Sequence, residues 1–251
     1  MTLSEPARQT DDWPAIRNAG IDRMLVSFGA RLSEPANRAA LAFGAAVERE
    51  NWTWVEECAT SLVSACLCFD PLGVSHETVR AHLSRLLQTR DWYAAPLPGG
   101  RRFWRIPTVY DPALAPQLPE AAAAAGLTRG QAVQALSRTR VRVQAIGFAP
   151  GQPYLGELDP DWDIPRQRTL TDRVPEGALT VAIRQLVLFA VSAPTGWRHV
   201  GQTAFRPFRP EADDPFVLRP GDEVLFERTD REKLSAMQED PDGGAIAAAI
   251  P

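Results

Sequence analysis

Ten consecutive residues constrain this chain more than any other stretch, because Gly147 to Gly156 (GFAPGQPYLG) contains three glycines and two prolines. Proline fixes φ and lacks a backbone N–H, whereas glycine tolerates positive φ, so this composition argues against an ordinary helix or strand. It predicts a loop of fixed shape that brings backbone close to another group. A second segment of this kind, Ser192 to Thr203 (SAPTGWRHVGQT), follows, and we expect the two loops to be neighbours in space.

The size of the chain, 251 residues with 45% hydrophobic content, allows two domains with cores of their own. The formal net charge of -4 is dispersed along the chain, so nucleic acid and a membrane surface are not expected partners. No apolar run reaches the roughly 18 residues of a membrane span. Met1 to Trp13 lacks the basic and apolar regions of a signal peptide. We therefore expect a cytoplasmic protein.

Cys58, Cys66 and Cys68 are odd in number and clustered, which is not the pattern of a secreted disulfide framework. A structural zinc site generally has four ligands, and the neighbouring sequence offers no fourth cysteine or histidine. We expect these cysteines to be buried small apolar side chains and expect no metal site.

Residues 1–95 show the pattern of a small α+β domain. Residues 22–28 alternate as a strand, and residues 34–50 are alanine-rich with helical spacing. Two further strands are expected at 52–57 and 61–69, followed by a helix that Ser75 caps. With residues 103–106 as a possible last strand, this β-α-β-β-α order is that of a ferredoxin-like domain.

Residues 94–101 (AAPLPGGR) are the best linker candidate, so we place the domain boundary near residue 95. Beyond the linker, two short helices, the second capped by Thr128, and then several short strands with Pro/Gly-rich corners are expected, a pattern typical of a barrel or sandwich. Residues 96–232 are assigned to this second domain. Residues 233–251 are assigned to a C-terminal tail, because their last part carries no pattern.

Arginines are abundant and general acids are scarce around the two loops. Guanidinium groups suit bidentate binding of carboxylate or phosphate. Each of these arginines is equally compatible with a purely solvated side chain at the end of a loop. The candidate arginines are Arg166, Arg168, Arg173 and Arg198. Tyr154 and Trp197 offer flat apolar faces that either wall a ligand pocket or plug the end of a barrel.

His199 is the one histidine in the glycine-rich region and is able to titrate near neutral pH. No serine or cysteine nucleophile is arranged around it, so we favour a non-catalytic role. Phosphate-loop, dinucleotide-binding and zinc-protease motifs are absent from the sequence. The chain alone is therefore not expected to be a complete nucleotide-using enzyme.

Five motifs together resemble the KipI family, which includes the B subunit of 5-oxoprolinase, allophanate hydrolase subunit 1 and the carboxyltransferase segment of urea carboxylase. They are G-F-x-P-G-x-P-Y-L-G from Gly147, P-R from Pro165, R-V-P-x-G from Arg173, P-x-G-W-x-x-x-G-x-T from Pro194 and P-G-D-x-V-x-F from Pro220. With the F-D-P of residues 69–71, the resemblance covers most of residues 20–230.

The resemblance implies an α+β chain with a ferredoxin-like N-terminal domain followed by a cyclophilin-like β-barrel domain. It also implies a partner of the KipA type, the counterpart of the C subunit of 5-oxoprolinase, which an A-type subunit joins in the bacterial enzyme. In that enzyme ATP drives the opening of 5-oxoproline to glutamate. This chain alone is expected to bind no cofactor, with ATP possible in the assembled complex.

Our leading hypothesis is that the chain is one component of an ATP-dependent amidohydrolase resembling 5-oxoprolinase, is inactive alone, and binds a small carboxylate or amide substrate. The residues assigned to substrate binding are Tyr154, Arg166, Arg173, Gln185, Trp197 and Thr203. Those assigned to loop formation are Gly147, Pro150, Gly151, Pro194 and Gly196. Two alternatives stay open: a KipI-like inhibitor of a histidine kinase, and a carboxyltransferase-type component of allophanate hydrolase or urea carboxylase.

The chain departs from the family pattern around the expected site. Gln152 stands where the family has phenylalanine, and Thr195 stands where it has glycine. Residues 136–140 (LSRTR) replace a common His-Ser pair and tyrosine, and Asp172 replaces the proline of a second Pro-Arg pair. These differences bear on the substrate rather than on the fold.

Overall fold

The computed structural model of the chain describes residues 12–240 and 242–250, and it divides after Leu97 into two compact units. The segment from Met1 to Asp11, on which the signal-peptide argument rests, lies outside the described residues. No described helix is both long enough and apolar enough to span a bilayer.

The first unit combines an antiparallel sheet with two helices. In chain order its elements are β1 (Ala15–Asn18), β2 (Arg23–Ser27), α1 (Glu34–Glu50), β3 (Val55–Ser61), β4 (Ser64–Phe69) and α2 (His76–Leu87). The strands pair in the order β1-β2-β4-β3. The side chain of Ser75 accepts a hydrogen bond from the N–H of Thr78, so the predicted cap of α2 is confirmed.

The edge strand beside β2 precedes it in the sequence, whereas we expected a strand that follows α2. β1 precedes β2 and pairs along it, whereas residues 103–106 lie in β5 (Arg102–Val109) of the second unit. The order observed in the first unit is therefore β-β-α-β-β-α. The predicted ferredoxin-like order is not confirmed, although the β-α-β-β-α succession within it is present.

Alternation along β4 decides the environment of the cysteines. Leu67 and Phe69 are completely buried in the core that α1 and α2 cover, so Cys66 and Cys68 point to the other face and are partly exposed. The prediction of buried cysteines is therefore wrong for this strand. Cys58 on β3 is more enclosed, and burial raises the pKa of its thiol to about 12.

The second unit contains most of the strands. After β5, its elements are α3 (Leu118–Ala124), α4 (Arg129–Arg138), β6 (Val141–Ile146), β7 (Pro153–Gly156), a 3₁₀ turn (Pro160–Trp162), β8 (Thr171–Val174), β9 (Ala178–Ala182), β10 (Gln185–Leu188), β11 (Ala193–Thr195), β12 (Arg198–Gln202), β13 (Glu223–Thr229), α5 (Arg231–Ala236) and β14 (Ile246–Ala249). Thr128 is the N-cap of α4, as predicted, and it forms a capping box with Gln131.

Seven strands of this unit close into a barrel in the order β6-β13-β5-β12-β9-β10-β7, with β7 pairing back to β6. The neighbours are antiparallel except β13 and β5, which run parallel. Every barrel strand contributes at least one residue to a single apolar core, because alternate residues point inward. One such residue from each strand is Ile106, Val143, Leu155, Val181, Leu186, Val200 and Phe226.

Part of the first Gly/Pro-rich segment is a strand rather than a loop. The loop closes where the N–H of Gly147 donates to the carbonyl of Gln152 over 3.0 Å, and β7 then pairs with both β6 and β10. Pro153 is tolerated because it is the first residue of β7. A Cβ at Gly156 would lie 2.7 Å from Oε1 of Gln144, so any larger residue there would displace that side chain.

The C-terminal region also differs from expectation, because residues after 232 include α5 and β14 rather than only a tail. β14 pairs antiparallel with β5, from Ile246 opposite Arg105 to Ala249 opposite Arg102. Its alanine-rich sequence has low strand propensity, so no local pattern predicts it. The partner strand β5 supplies the hydrogen bonds that order it.

Candidate functional site

The two Gly/Pro-rich segments meet on the outer face of the barrel wall formed by β7, β9 and β10. Leu155 and Leu186 point into the barrel core, so their neighbours Tyr154 and Val187 point outward. These outward side chains join a second, smaller apolar cluster with Trp197. The site is thus on the wall of the barrel, whereas the sequence left open a plug at its end.

A two-stranded ribbon made of β8 and β11 covers this outer cluster. Val174 on β8 and Ala193 on β11 pack against it, and among the described strands these two pair only with each other. The predicted proximity of the two segments is confirmed, since the rings of Tyr154 and Trp197 meet edge to face with centroids 6.2 Å apart.

A cavity of about 170 Å³ lies between the segments. It is smaller than the roughly 300–1,000 Å³ of pockets that take drug-sized ligands, so it suits a small molecule. Its lining residues are Phe148, Gln152, Tyr154, Arg166, Leu170, Val187, Phe189, Pro194, Thr195, Gly196 and Trp197.

Arg166 is the one charged residue in this lining. Its guanidinium lies 5.2 Å from the centroid of the Trp197 ring, and it makes no hydrogen bond or ion pair with another described residue. The adjacent Gln167 fixes the backbone, donating its N–H to the carbonyl of Gly196 and its Nε2 to the carbonyl of Trp197. Arg166 therefore offers an unpaired cation at a defined place on the rim.

The backbone around Trp197 is held by Thr195, whose Oγ1 accepts a hydrogen bond from the N–H of Trp197 over 3.0 Å. Both side chains are buried. Pro194 and Gly196, predicted as loop-forming residues, line the cavity directly.

The other predicted loop residues shape the first loop without lining the cavity. Gly147, Pro150 and Gly151 are absent from the lining. Gly151 has a φ of +68°, and a Cβ there would lie 2.8 Å from the carbonyl oxygen of Pro207. Phe148, also at positive φ (70°), is 75% exposed and reaches the cavity from its mouth.

Three residues predicted to bind substrate are not brought to the cavity. Arg173 alternates with Val174, which faces the outer cluster, so the exposed Arg173 points away. The buried Gln185 donates from Nε2 to Oε1 of Gln144 over 2.8 Å. Thr203 accepts a hydrogen bond from the N–H of Phe205 at its Oγ1, which is a structural role.

Arg198, His199 and Arg168 were also candidates, and none lines the cavity. Arg198 is 8% exposed and donates to Oε1 of Glu120 and to the carbonyl of Pro165, so it acts as a structural clamp. His199 is buried, with Nε2 3.0 Å from the carbonyl oxygen of Gly201. Burial lowers the pKa of His199, because it disfavours the charged form of the ring.

Sequence reasoning did not assign the apolar lining residues Phe148, Leu170, Val187 and Phe189. Val187 was recoverable, because it alternates with the core residue Leu186. Leu170 carries no local signal, since it lies in an irregular stretch before β8.

Chemically, the cavity lining offers one permanent cation, the side-chain amide of Gln152, two hydroxyls and several aromatic or aliphatic faces. It contains no carboxylate, histidine, lysine or cysteine. Within residues 12–240 and 242–250, no group of three or more His, Cys, Asp or Glu side chains is placed to hold a metal ion. The arrangement is able to bind and orient a small anion, and the lining holds no carboxylate, histidine or lysine for proton transfer.

Comparison with known proteins gives a family match. The sequence model of the family described as carboxyltransferase domain, subdomain C and D, matches residues 14–218. The chain is 28% identical over 236 residues to the B subunit of 5-oxoprolinase from Bacillus subtilis (strain 168), an alignment that covers 90% of this chain and 97% of that protein.

Solved structures agree with this match. A crystal structure of TTHA0988 is similar with a TM-score of 0.71 and 32% identity over 84% of this chain, which spans only 40% of that longer chain. The urea carboxylase of Kluyveromyces lactis is similar with a TM-score of 0.71 over 94% of this chain and 24% of that chain. Its sequence identity is 17%, so this likeness shows the fold alone.

Proposed function

Because the chain belongs to the family of carboxyltransferase subdomains C and D, we propose that it is one component of a heteromeric, ATP-dependent amidohydrolase of the 5-oxoprolinase type. The Bacillus subtilis relative, which the chain matches over 97% of its length, is named as the B subunit of 5-oxoprolinase. In this proposal the assembled enzyme opens 5-oxoproline to glutamate, and this chain binds the substrate.

The observation that carries the proposal is the unpaired guanidinium of Arg166 at a small cavity walled by aromatic rings. 5-Oxoproline is a flat five-membered lactam that bears one carboxylate. A guanidinium binds a carboxylate through two parallel hydrogen bonds, and the Tyr154 and Trp197 faces suit the ring. The volume of about 170 Å³ favours a ligand of this size over a larger one.

The lining also supports a chain that is inactive alone. It holds no carboxylate, histidine or lysine that would act as a general acid or base. Phe148 and Leu170, which line the cavity, are 75% and 61% exposed, and neighbouring exposed apolar side chains mark contact surfaces. We therefore assign the missing groups to a partner of the KipA type, equivalent to the C subunit of 5-oxoprolinase, with an A-type subunit as a further member.

The test is a reconstitution. The chain is co-expressed with the products of its neighbouring genes, and ATP-dependent loss of 5-oxoproline is measured in the purified complex. Arg166→Ala is expected to abolish most of this activity, whereas Arg168→Ala, an exposed arginine two residues away that does not line the cavity, serves as the matched control. No turnover by the complete wild-type complex would overturn the substrate assignment.

A carboxyltransferase-type component is the second candidate function, favoured by the description of the family and the fold shared with urea carboxylase. A gene for biotin carboxylase beside that of this chain, and biotin-dependent carboxylation by the complex, would support it over the amidohydrolase. The role of kinase inhibitor stays a prediction, which inhibition of kinase autophosphorylation by the purified chain would test.

The finer architectural and cellular assignments belong to the same proposal. We assign the barrel to the cyclophilin-like type. The first unit is assigned to a ferredoxin-like variant in which β1 takes the edge position beside β2 that a last strand would occupy. A cytoplasmic location follows from the use of ATP in the proposed reaction.

A further inference from the structure

The backbone of Trp197 is held by other residues' side chains at both of its polar groups. Its N–H donates to Oγ1 of Thr195, and its carbonyl accepts from Nε2 of Gln167, each over 3.0 Å. Trp197 lies in the short connection between β11 and β12, outside every described strand pairing. The placement of its buried ring, which lines the cavity, therefore depends on these two side chains.

Gln167 connects Trp197 both to the covering ribbon and to Arg166. Its backbone N–H donates to the carbonyl of Gly196 over 2.7 Å, and its Nε2 also donates to Oγ1 of Thr171 on β8 over 3.3 Å. It directly follows Arg166, and a Cβ at Gly196 would lie 3.9 Å from Cβ of Arg166. The backbone segments that carry the cation and the ring of the cavity are thus joined through one residue.

Gln117 holds the amide of Gln167 from its other side. Its Nε2 donates to Oε1 of Gln167 over 2.7 Å and to Oγ1 of Thr171 over 3.1 Å. Its Oε1 accepts from the N–H of His199 on β12, and its own N–H donates to the carbonyl of His199. A backbone carbonyl only accepts and a backbone N–H only donates, so these contacts set the orientation of both amides. The two amides therefore link β12 to the carbonyl of Trp197.

We propose that Gln167 is a positioning residue of the candidate site, which fixes the ring of Trp197 and the segment of Arg166 at the spacing that the ligand requires. Gln167 does not line the cavity, so it acts through these two residues. Groups that are already held in the bound geometry lose little freedom when a ligand binds, and this raises affinity. The identity of the ligand as 5-oxoprolinate rests on the proposed function.

The binding experiment measures the Kd of 5-oxoprolinate by calorimetry for the full chain and its variants. Gln167→Met keeps the side-chain length and removes the amide, so the carbonyl of Trp197 loses its donor, and the Kd is expected to rise about 3- to 30-fold. Gln117→Met removes only the support of that amide and is expected to raise the Kd by a smaller factor.

Gln131→Met is the matched control for binding. The side chain of Gln131 is also hydrogen-bonded, because its Oε1 accepts from the N–H and the hydroxyl of Thr128, but it does not line the cavity or contact Gln167. The same chemical change is therefore made at a different place in the same unit. This variant is expected to bind 5-oxoprolinate as the wild type does.

A measurement without ligand separates positioning from a loss of stability. The protein is labelled with fluorotryptophan, and the fluorine NMR resonance of Trp197 is identified by its loss in Trp197→Phe. Gln167→Met is expected to shift or broaden this resonance and to leave unchanged those of Trp92 and Trp104, which lie in the two separate cores. A variant that only destabilised the fold would leave the resonance of Trp197 in the folded protein where it is.

Each result decides the proposal. An unchanged Trp197 resonance in Gln167→Met, a wild-type Kd in that variant, or an equally large effect of Gln131→Met would overturn it. If Gln167→Met does not fold, the same two measurements on Gln117→Met decide. The proposed function fails separately: if the wild type does not bind 5-oxoprolinate but Gln167→Met moves the Trp197 resonance alone, the substrate assignment falls and the positioning role stands.

Discussion

Replacing Arg166 by alanine is expected to weaken binding of 5-oxoprolinate while leaving the fold almost as stable. The guanidinium makes no hydrogen bond or ion pair with another described residue, and the ring of Trp197 lies 5.2 Å away. A cation–π contact at an exposed site is worth about 0.5–1 kcal/mol. For a unit of this size that corresponds to a fall in Tm of about 1–4 °C.

The expected effect on binding is larger than the effect on stability. A hydrogen bond to a charged group contributes about 1.5–3 kcal/mol, and each 1.4 kcal/mol is a factor of ten in Kd. Arg166→Ala should therefore raise the Kd about 10- to 150-fold. Calorimetric titration measures this value, and Arg168→Ala, which does not line the cavity, should bind as the wild type does.

Arg198→Ala is the matched comparison for stability. The buried Arg198 donates to the carbonyl of Pro165 over 2.6 Å and to Glu120 over 2.9 Å. Glu120 is 55% exposed, so water replaces much of that ion pair, and the main cost is the lost bond to the carbonyl and the lost packing. A loss of about 1–3 kcal/mol in the free energy of unfolding is expected.

The reasoning would be refuted if Arg166→Ala lowered Tm as much as Arg198→Ala does and left the Kd unchanged. Arg166 would then be a structural residue, and no charged group of the cavity lining would be left to bind an anion. Thermal unfolding of the three arginine variants beside the wild type, followed by titration of each, separates these outcomes in a single series.

Three further predictions concern stability. Asp222→Asn should cost about 2–4 kcal/mol in urea unfolding, because the buried carboxylate accepts from both the backbone N–H and Nη2 of Arg102; a loss below about 0.5 kcal/mol would contradict this. Gly177→Ala should lower the free energy of unfolding more than Gly126→Ala does. Both glycines have positive φ (75° and 69°), but only at Gly177 would a Cβ collide with a carbonyl oxygen. Equal losses of stability in the two variants would refute this steric argument. Burial lowers the pKa of His199 in the folded protein from its ordinary 6.5, so on acidification the unfolded state binds a proton at this ring before the folded state does. The free energy of unfolding of the wild type should therefore fall as the pH drops below about 6.5. If a His199→Gln variant shows the same pH profile, protonation of His199 does not cause the loss.

Local patterns were sufficient for much of the secondary structure. The helix at residues 34–50 is observed with the same bounds, and the caps at Ser75 and Thr128 lie where predicted, because they depend on side chains within one helical turn. The strands β1, β7, β8, β11, β12 and β14 were missed. β12 and β14 take hydrogen bonds from the distant strand β5, so their glycine or alanine content does not exclude them.

In the candidate site, too, some features were predictable from the local sequence and others depended on the tertiary structure. Sequence composition predicted that residues 147–156 and 192–203 lie together, and it left open whether Tyr154 and Trp197 wall a pocket or plug the barrel. The structure brings these two rings to 6.2 Å on the barrel wall. It did not separate the candidate arginines. Arg166 lines the cavity, whereas Arg198 is used as a clamp inside the protein.

By itself, the sequence determined the helix at residues 34–50, the helix that Ser75 caps, and the closeness of the two Gly/Pro-rich segments that form the candidate site, because these properties depend on φ preferences and neighbouring side chains. Only the tertiary structure decided that the site lies on the outer wall of the barrel and that Gln152 and Arg166 share one cavity. The physical reason is strand register: pairing between distant strands selects which of two alternating faces meets the core, so it also selects which side chains remain free to meet a ligand.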